Sequence, residues 1–180
     1  MTNARKFVPH YSVEDYRQWE GDCELWSGIA VAMSPRPFGT HQLTLVNLAA
    51  EIRGELRAHG HHAVVLVECD WIVSEDSVVR PDLIVLCGDA LEKHIESPPP
   101  IVAEVLSDST RERDLTFKRD LYQEHGVDCY LILDPEDRSF QSFRRDANDA
   151  FQNERIETSV ELTLCNDCHI QLIRDQLFGK

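Results

Sequence analysis

Apolar residues change their spacing several times along this chain, and each change marks an element. Leu45, Leu48, Ala49, Ile52 and Leu56 recur at three and four, which predicts a long amphipathic helix over residues 40–58, with Gly60 as its stop. Residues 82–87 and 101–106 behave differently: both are near-continuous apolar runs, the mark of central strands covered on both faces. Residues 23–33 alternate with period two about Ser27-Gly28, predicting a hairpin, and residues 64–73 read as one strand followed by a polar turn over 74–77. Ser12 with Glu14 and Asp15 supplies the N-cap and acidic first turn of a short helix reaching about Trp19. A second helix is predicted over residues 112–125, ending at Gly126, and then a strand over 129–133 that stops at Asp134-Pro135. Pro35, Pro37 and Gly39 interrupt the chain before the long helix, residues 88–100 form a connection, and the chain beyond Ser139 reads as short edge strands with a final turn near 172–178. The expected fold class is α/β, in the mixed α+β sense: one mixed sheet flanked by helices, with extra edge strands, residues 1–180 forming one domain.

Composition narrows the function classes. Apolar residues make up 42% and charged residues 28%, as in a globular chain, and no apolar run approaches the ~20 residues that span a bilayer, so no membrane partner is expected. The first sixteen residues lack the apolar stretch of an export signal, which points to the cytoplasm and to six reduced cysteines. A net charge of -14 works against tight, sequence-independent binding to nucleic acid, which rests on Lys and Arg displacing counterions from phosphates.

Glu104 is the most informative residue. It interrupts the middle of an apolar run, and burying an ionised carboxylate is costly unless a cation or strong donors meet it; the bland alternative is an edge strand with Glu104 facing out. Asp82, directly after Pro81, reads alone as turn chemistry, but with Glu104 on a neighbouring strand it makes half of a two-carboxylate site suited to a hard cation such as Mg2+. Lys118 shares a helical stripe with Leu115, Leu121 and Tyr122, so its ammonium can reach that site; a surface pair with Asp114, four residues earlier, is equally open. Cys165 and Cys168 with His169 match the spacing of a haem-attachment or half zinc motif, but without export or a second ligand pair a turn between edge strands is the better reading. His59, His61 and His62 sit at a helix end, where such residues are favourable anyway.

The stretch from Cys23 through Trp26, Gly28 and Met33 to Pro35, followed by His41, resembles the opening of the Uma-two family of restriction endonucleases. Arg80-Pro81-Asp82-Leu83-Ile84-Val85 and Val102-Ala103-Glu104-Val105-Leu106-Ser107-Asp108-Ser109-Thr110 are similar to its two core-strand motifs. Asp114, Lys118, Tyr122, Gly126, Val127 and the segment Tyr130 to Pro135 continue the likeness in order, over nearly the whole chain. The resemblance implies a restriction endonuclease-like, PD-(D/E)xK fold and a metal-dependent endonuclease that hydrolyses phosphodiester bonds of nucleic acid, DNA in particular. It implies Asp82, Glu104 and the Val105 carbonyl as ligands of Mg2+, with Mn2+ as substitute, Glu24 as auxiliary acid and His41 nearby. The superfamily's lysine stands two residues after the Glu; here that position is Leu106, and Lys118 takes the role from the following helix. The alternative is a nuclease fold without catalysis, serving as a binding or regulatory module. Basic residues Arg111, Arg113, Lys118 and Arg119 gathered beside the site would favour the enzyme, and an unbroken acidic rim the module. A homodimer or higher homo-oligomer would let two sites address the two strands of a duplex.

Overall fold

The structure is a computed structural model that describes residues 9–33, 39–88, 94–165 and 168–179. The N-terminal eight residues, Pro35, Pro37, part of the 88–100 connection and the two residues between Cys165 and Cys168 lie outside the described residues.

Twelve strands form three sheets among the described residues. The main sheet has the order β10-β9-β8-β7-β6-β3, from β3 (Ala63–Val67), β6 (Leu83–Cys87), β7 (Ile101–Val105), β8 (Cys129–Asp134), β9 (Ser139–Arg145) and β10 (Phe151–Arg155). It is mixed: β7 and β8 run parallel and the other pairs antiparallel. A second sheet joins β2 (Ile29–Ala32), β1 (Cys23–Trp26), β5 (Ser77–Val79) and β4 (Trp71–Ser74), while β11 (Ser159–Leu164) and β12 (Cys168–Ile173) form a separate hairpin.

Strand alternation divides the main sheet into two cores. Leu83, Val85, Ile101, Ala103, Val105, Leu131 and Leu133 pack on one face against α2 (Gly39–Ala58), the β11–β12 hairpin and α5 (Arg174–Leu177). Ile84, Val102, Tyr130 and Ile132 point the other way, to Trp71, Leu121 and Tyr122. All five residues of β7 are buried and the strand has neighbours on both sides, so the edge-strand reading of Glu104 does not hold. The β1–β2 turn places Ser27 and Gly28 at φ 45° and 78°, and a Cβ at Gly28 would stand 2.5 Å from the His10 ring. α1 (Val13–Tyr16) opens with a reciprocal cap between Ser12 and Asp15.

Three expectations are corrected. The single strand over 64–73 is two: the chain turns at Glu68, φ 49°, leaving β3 in the main sheet and sending β4 to the second, and no Gly or Pro marks that break. The second helix is not uniform: α3 (Arg111–Arg113) runs into a π turn, Asp114–Lys118, before α4 (Arg119–Glu124). Within it Asp114 is buried, whereas Leu115 is only half-buried. The cysteines are not all reduced: Cys87, at the end of β6, is disulfide-bonded to Cys165 at the tip of the β11–β12 hairpin, 78 residues on. Only the tertiary fold brings their Cα atoms to 5.3 Å. The same bond removes Cys165 from any haem or zinc motif, and Cys168 is buried in the core at the turn between the two strands. None of the described helices is long and apolar enough to cross a membrane.

Candidate active site

A cavity of about 200 Å³ opens where β1, β6, β7 and the segmented helix meet, lined by Glu24, His41, Asp82, Glu104, Asp114 and Lys118 among others. All five side chains expected at the site from the sequence are therefore together, along with Asp114. Their positions follow from local structure. Alternation on β7 turns Val105 towards α2 and Glu104 towards the π turn. Asp82 sits one residue before β6, paired to β7 by a reciprocal contact: the Asp82 amide donates to Glu104 Oε2 at 3.3 Å, and the Val105 amide donates to Asp82 Oδ2 at 2.7 Å. Each carboxylate is thus fixed by the backbone of the other's strand.

Lys118 is 6% exposed and points at the carboxylates, not at solvent. Its Nζ lies 2.8 Å from Glu104 Oε1, 3.3 Å from Glu24 Oε1 and 3.7 Å from Asp114 Oδ1. Asp114 is itself buried, so the surface-pair reading fails, although the contact exists. Burial alone would lower the Lys118 pKa, but Glu104, Glu24 and Asp114 outweigh it and raise it. A lysine in that state donates hydrogen bonds and charge and does not serve as a base. Burial pushes the Glu104 carboxyl well above its ordinary range, with Asp114 and Asp82 adding to the effect against Lys118, and burial pushes Asp114 up to about 6.

Glu24 reaches the site from the second sheet, its Oε1 accepting from the Arg80 amide at 2.7 Å and its Oε2 from Trp26 Nε1 at 3.0 Å. The Arg80 guanidinium ties this sheet down through Asp70 at 2.7 Å and Asp22 at 2.9 Å. His41, on α2, puts Nε2 3.2 Å from Asp82 Oδ2, while its buried Nδ1 has no hydrogen-bond partner among the described residues. Burial would lower the His41 pKa; hydrogen bonding and charge from Asp82, together with the Val105 carbonyl, reverse that and raise it.

Two further residues join the site. Tyr122 is fully buried and its hydroxyl donates to Glu104 Oε1 at 2.8 Å; Asp114 completes the set around Lys118. Both fall on the motif that carries the family resemblance, and Asp114 also stands four residues before Lys118. Of the four basic residues that would favour an enzyme, Lys118 and Arg113 line the cavity, whereas Arg111 pairs with Asp134 and Glu136, and Arg119 with Asp120. With Arg80, Asp22 and Glu68 also lining it, the rim is mixed in sign.

The donor set fits a divalent cation. Four acidic side chains (Glu24, Asp82, Glu104 and Asp114) line the cavity with one ammonium and one imidazole, and oxygen donors of that kind suit a hard cation such as Mg2+. Among the described residues no group of three or more His, Cys, Asp or Glu side chains is placed to hold a metal ion. Mg2+ needs none, since it is commonly held by one or two carboxylates and keeps several waters.

A model of the Uma2 family, described as "Putative restriction endonuclease", matches residues 13–173. The chain belongs to the Uma2 family. Its fold is also that of a solved structure described as "a putative nuclease belonging to DUF820 from Anabaena variabilis ATCC 29413", with a TM-score of 0.74 at 16% identity, over 93% of this chain and 97% of that one. At that identity the likeness speaks for the fold. A comparison with curated proteins found no match.

Proposed function

We propose that this Uma2 protein is a metal-dependent endonuclease that hydrolyses phosphodiester bonds of DNA, with Asp82, Glu104 and the Val105 carbonyl holding Mg2+, or Mn2+ in its place. The family's description and the nuclease fold support phosphodiester hydrolysis. The observation that carries the residue assignment is Glu104: a carboxylate 2% exposed in the middle of a central strand, meeting Asp82 on one side and Lys118 on the other.

The bound cation would polarise the phosphate and lower the pKa of a coordinated water. The chain's own groups supply the rest. Lys118, kept cationic by three carboxylates, orients the attacking water or offsets charge developing on the phosphate, and takes no proton. Glu24 holds that ammonium from the opposite sheet, and His41 balances Asp82. Arg113 on the rim gives the phosphate backbone a cationic contact that the protein's net charge of -14 does not provide.

The test is cleavage of supercoiled plasmid with Mg2+ or Mn2+, comparing the wild type with Asp82→Asn and Glu104→Gln. The expected result is metal-dependent nicking that either substitution reduces by at least about a hundredfold, the scale of one lost electrostatic contact to a transition state. Equal cleavage by wild type and both variants would reject the residue assignment.

A further inference from the structure

The two edges of the main sheet are guarded very differently. β10 presents Gln152, Asn153, Glu154 and Arg155, all exposed and polar. β3 is Ala63-Val64-Val65-Leu66-Val67, apolar throughout, and among the described residues only β6 pairs with it. Natural edges are normally blunted with charge, proline or bulges, because an apolar strand with free N–H and C=O groups recruits another strand. Beside this edge lies a groove of about 500 Å³ between β3 and α2, walled by Leu45, Val46 and Val67. Val46 is 60% exposed and Val67 50%.

The groove has a polarity. Helix α2 ends at Ala58 and β3 begins at Ala63, so the two run in opposite directions, and Arg57, with Arg53 one turn away, lies toward the Ala63 end. Glu68 closes the other end, next to Val67. A two-fold axis through Val65, perpendicular to the sheet, exchanges those ends: Ala63 meets Val67 of the second copy, Val65 meets itself, and the arginine end of each groove meets the glutamate end of the other. Such an interface is self-complementary in hydrogen bonding and charge.

We infer that β3 is the interface of a homodimer, pairing antiparallel with β3 of a second copy about Val65 and joining two six-stranded sheets into one. Glu68 also lines the catalytic cavity, so the pairing sets one cavity at each end of the joined strands. The inference does not depend on the proposed reaction.

Sedimentation velocity on the full chain tests it, with a cross-linking assay for the register. Wild type is expected to sediment as a dimer. Val67→Lys, which sets a cation against the second copy's arginines, is expected to shift it to monomer, and Ile29→Lys, on the exposed edge of β2, to leave it dimeric. Opposed residues in antiparallel strands have Cα atoms ~4.5–5.5 Å apart, within disulfide reach, so Val65→Cys should cross-link under mild oxidation. Val67→Cys should not, since the two copies of that residue would be ~14 Å apart by strand rise. Monomeric wild type, a dimer indifferent to Val67→Lys, dissociation by Ile29→Lys, or cross-linking no better at Val65 than at Val67 would each overturn the interface.

Discussion

The two faces of β7 are built from alternate residues of one strand, yet they do different work. Ile101, Ala103 and Val105 enter an apolar core against Leu45, Leu48, Ile52 and Leu56 of α2, where the side chains have only to fill space. Val102 and Glu104 face the segmented helix, and there a carboxylate, an ammonium and a phenol replace hydrocarbon. The polar face is tolerable because its members satisfy one another: Glu104 accepts from Lys118, Tyr122 and the Asp82 amide, and Lys118 meets three carboxylates. The apolar face supplies stability that survives local change, while the polar face is stable only as a set.

Breaking the set from the cationic side should have the largest effect. Lys118→Met leaves Glu104, Glu24 and Asp114 without their counter-charge and should cost roughly 3–5 kcal/mol in urea unfolding. Adding Glu104→Gln should recover part of that loss, since the buried charge goes with its partner; a double variant as unstable as the sum of the singles would show that the two do not act as a pair. On the opposite face, Leu131→Ala should cost about 3 kcal/mol by leaving a cavity. It should leave metal affinity unchanged, and a matching loss of affinity would erase the distinction between the faces.

A pH series sharpens the comparison further. Burial raises Asp114 from the ordinary 3.8 to about 6, so the folded state holds its proton more tightly than the unfolded chain. The stability this contributes is fully present below about 3.8 and is lost as pH rises through about 6. Wild type should therefore lose stability relative to Asp114→Asn across that window, measured by urea midpoints at matched ionic strength; a constant difference would contradict the assignment. The smallest effect belongs to Tyr122→Phe, which keeps the packing against Trp71 and Tyr130 and removes one hydrogen bond to a charged group, about 1.5 kcal/mol in unfolding.

Much of this was legible in the chain. Glu104 stood out because an acid inside an apolar run demands a partner, and Asp82 and Lys118 then fell into place by strand order and helical spacing. The long helix and the first hairpin are written in periodicity, and the central strands in near-continuous apolar runs. What escaped depended on contacts distant in sequence or on local geometry that periodicity does not encode. Asp114 stands four residues before Lys118 and reads in sequence as its surface partner, because nothing local shows that the fold buries both. The break at Glu68 carries no Gly or Pro, and apolar residues resume at Trp71. Cys87 and Cys165 meet only because the hairpin beyond β10 folds back beside β6. The buried Tyr122 hydroxyl is, in sequence, one aromatic on a helical stripe.

Calorimetric titration with Mg2+ and Mn2+ tests the polar face of β7 as a cation site without a substrate having to be chosen. Wild type is expected to bind both ions, and Asp82→Asn and Glu104→Gln each to abolish binding while circular dichroism shows the fold retained. No binding by wild type, or binding indifferent to both substitutions, would contradict it and leave a nuclease fold used as a binding or regulatory module.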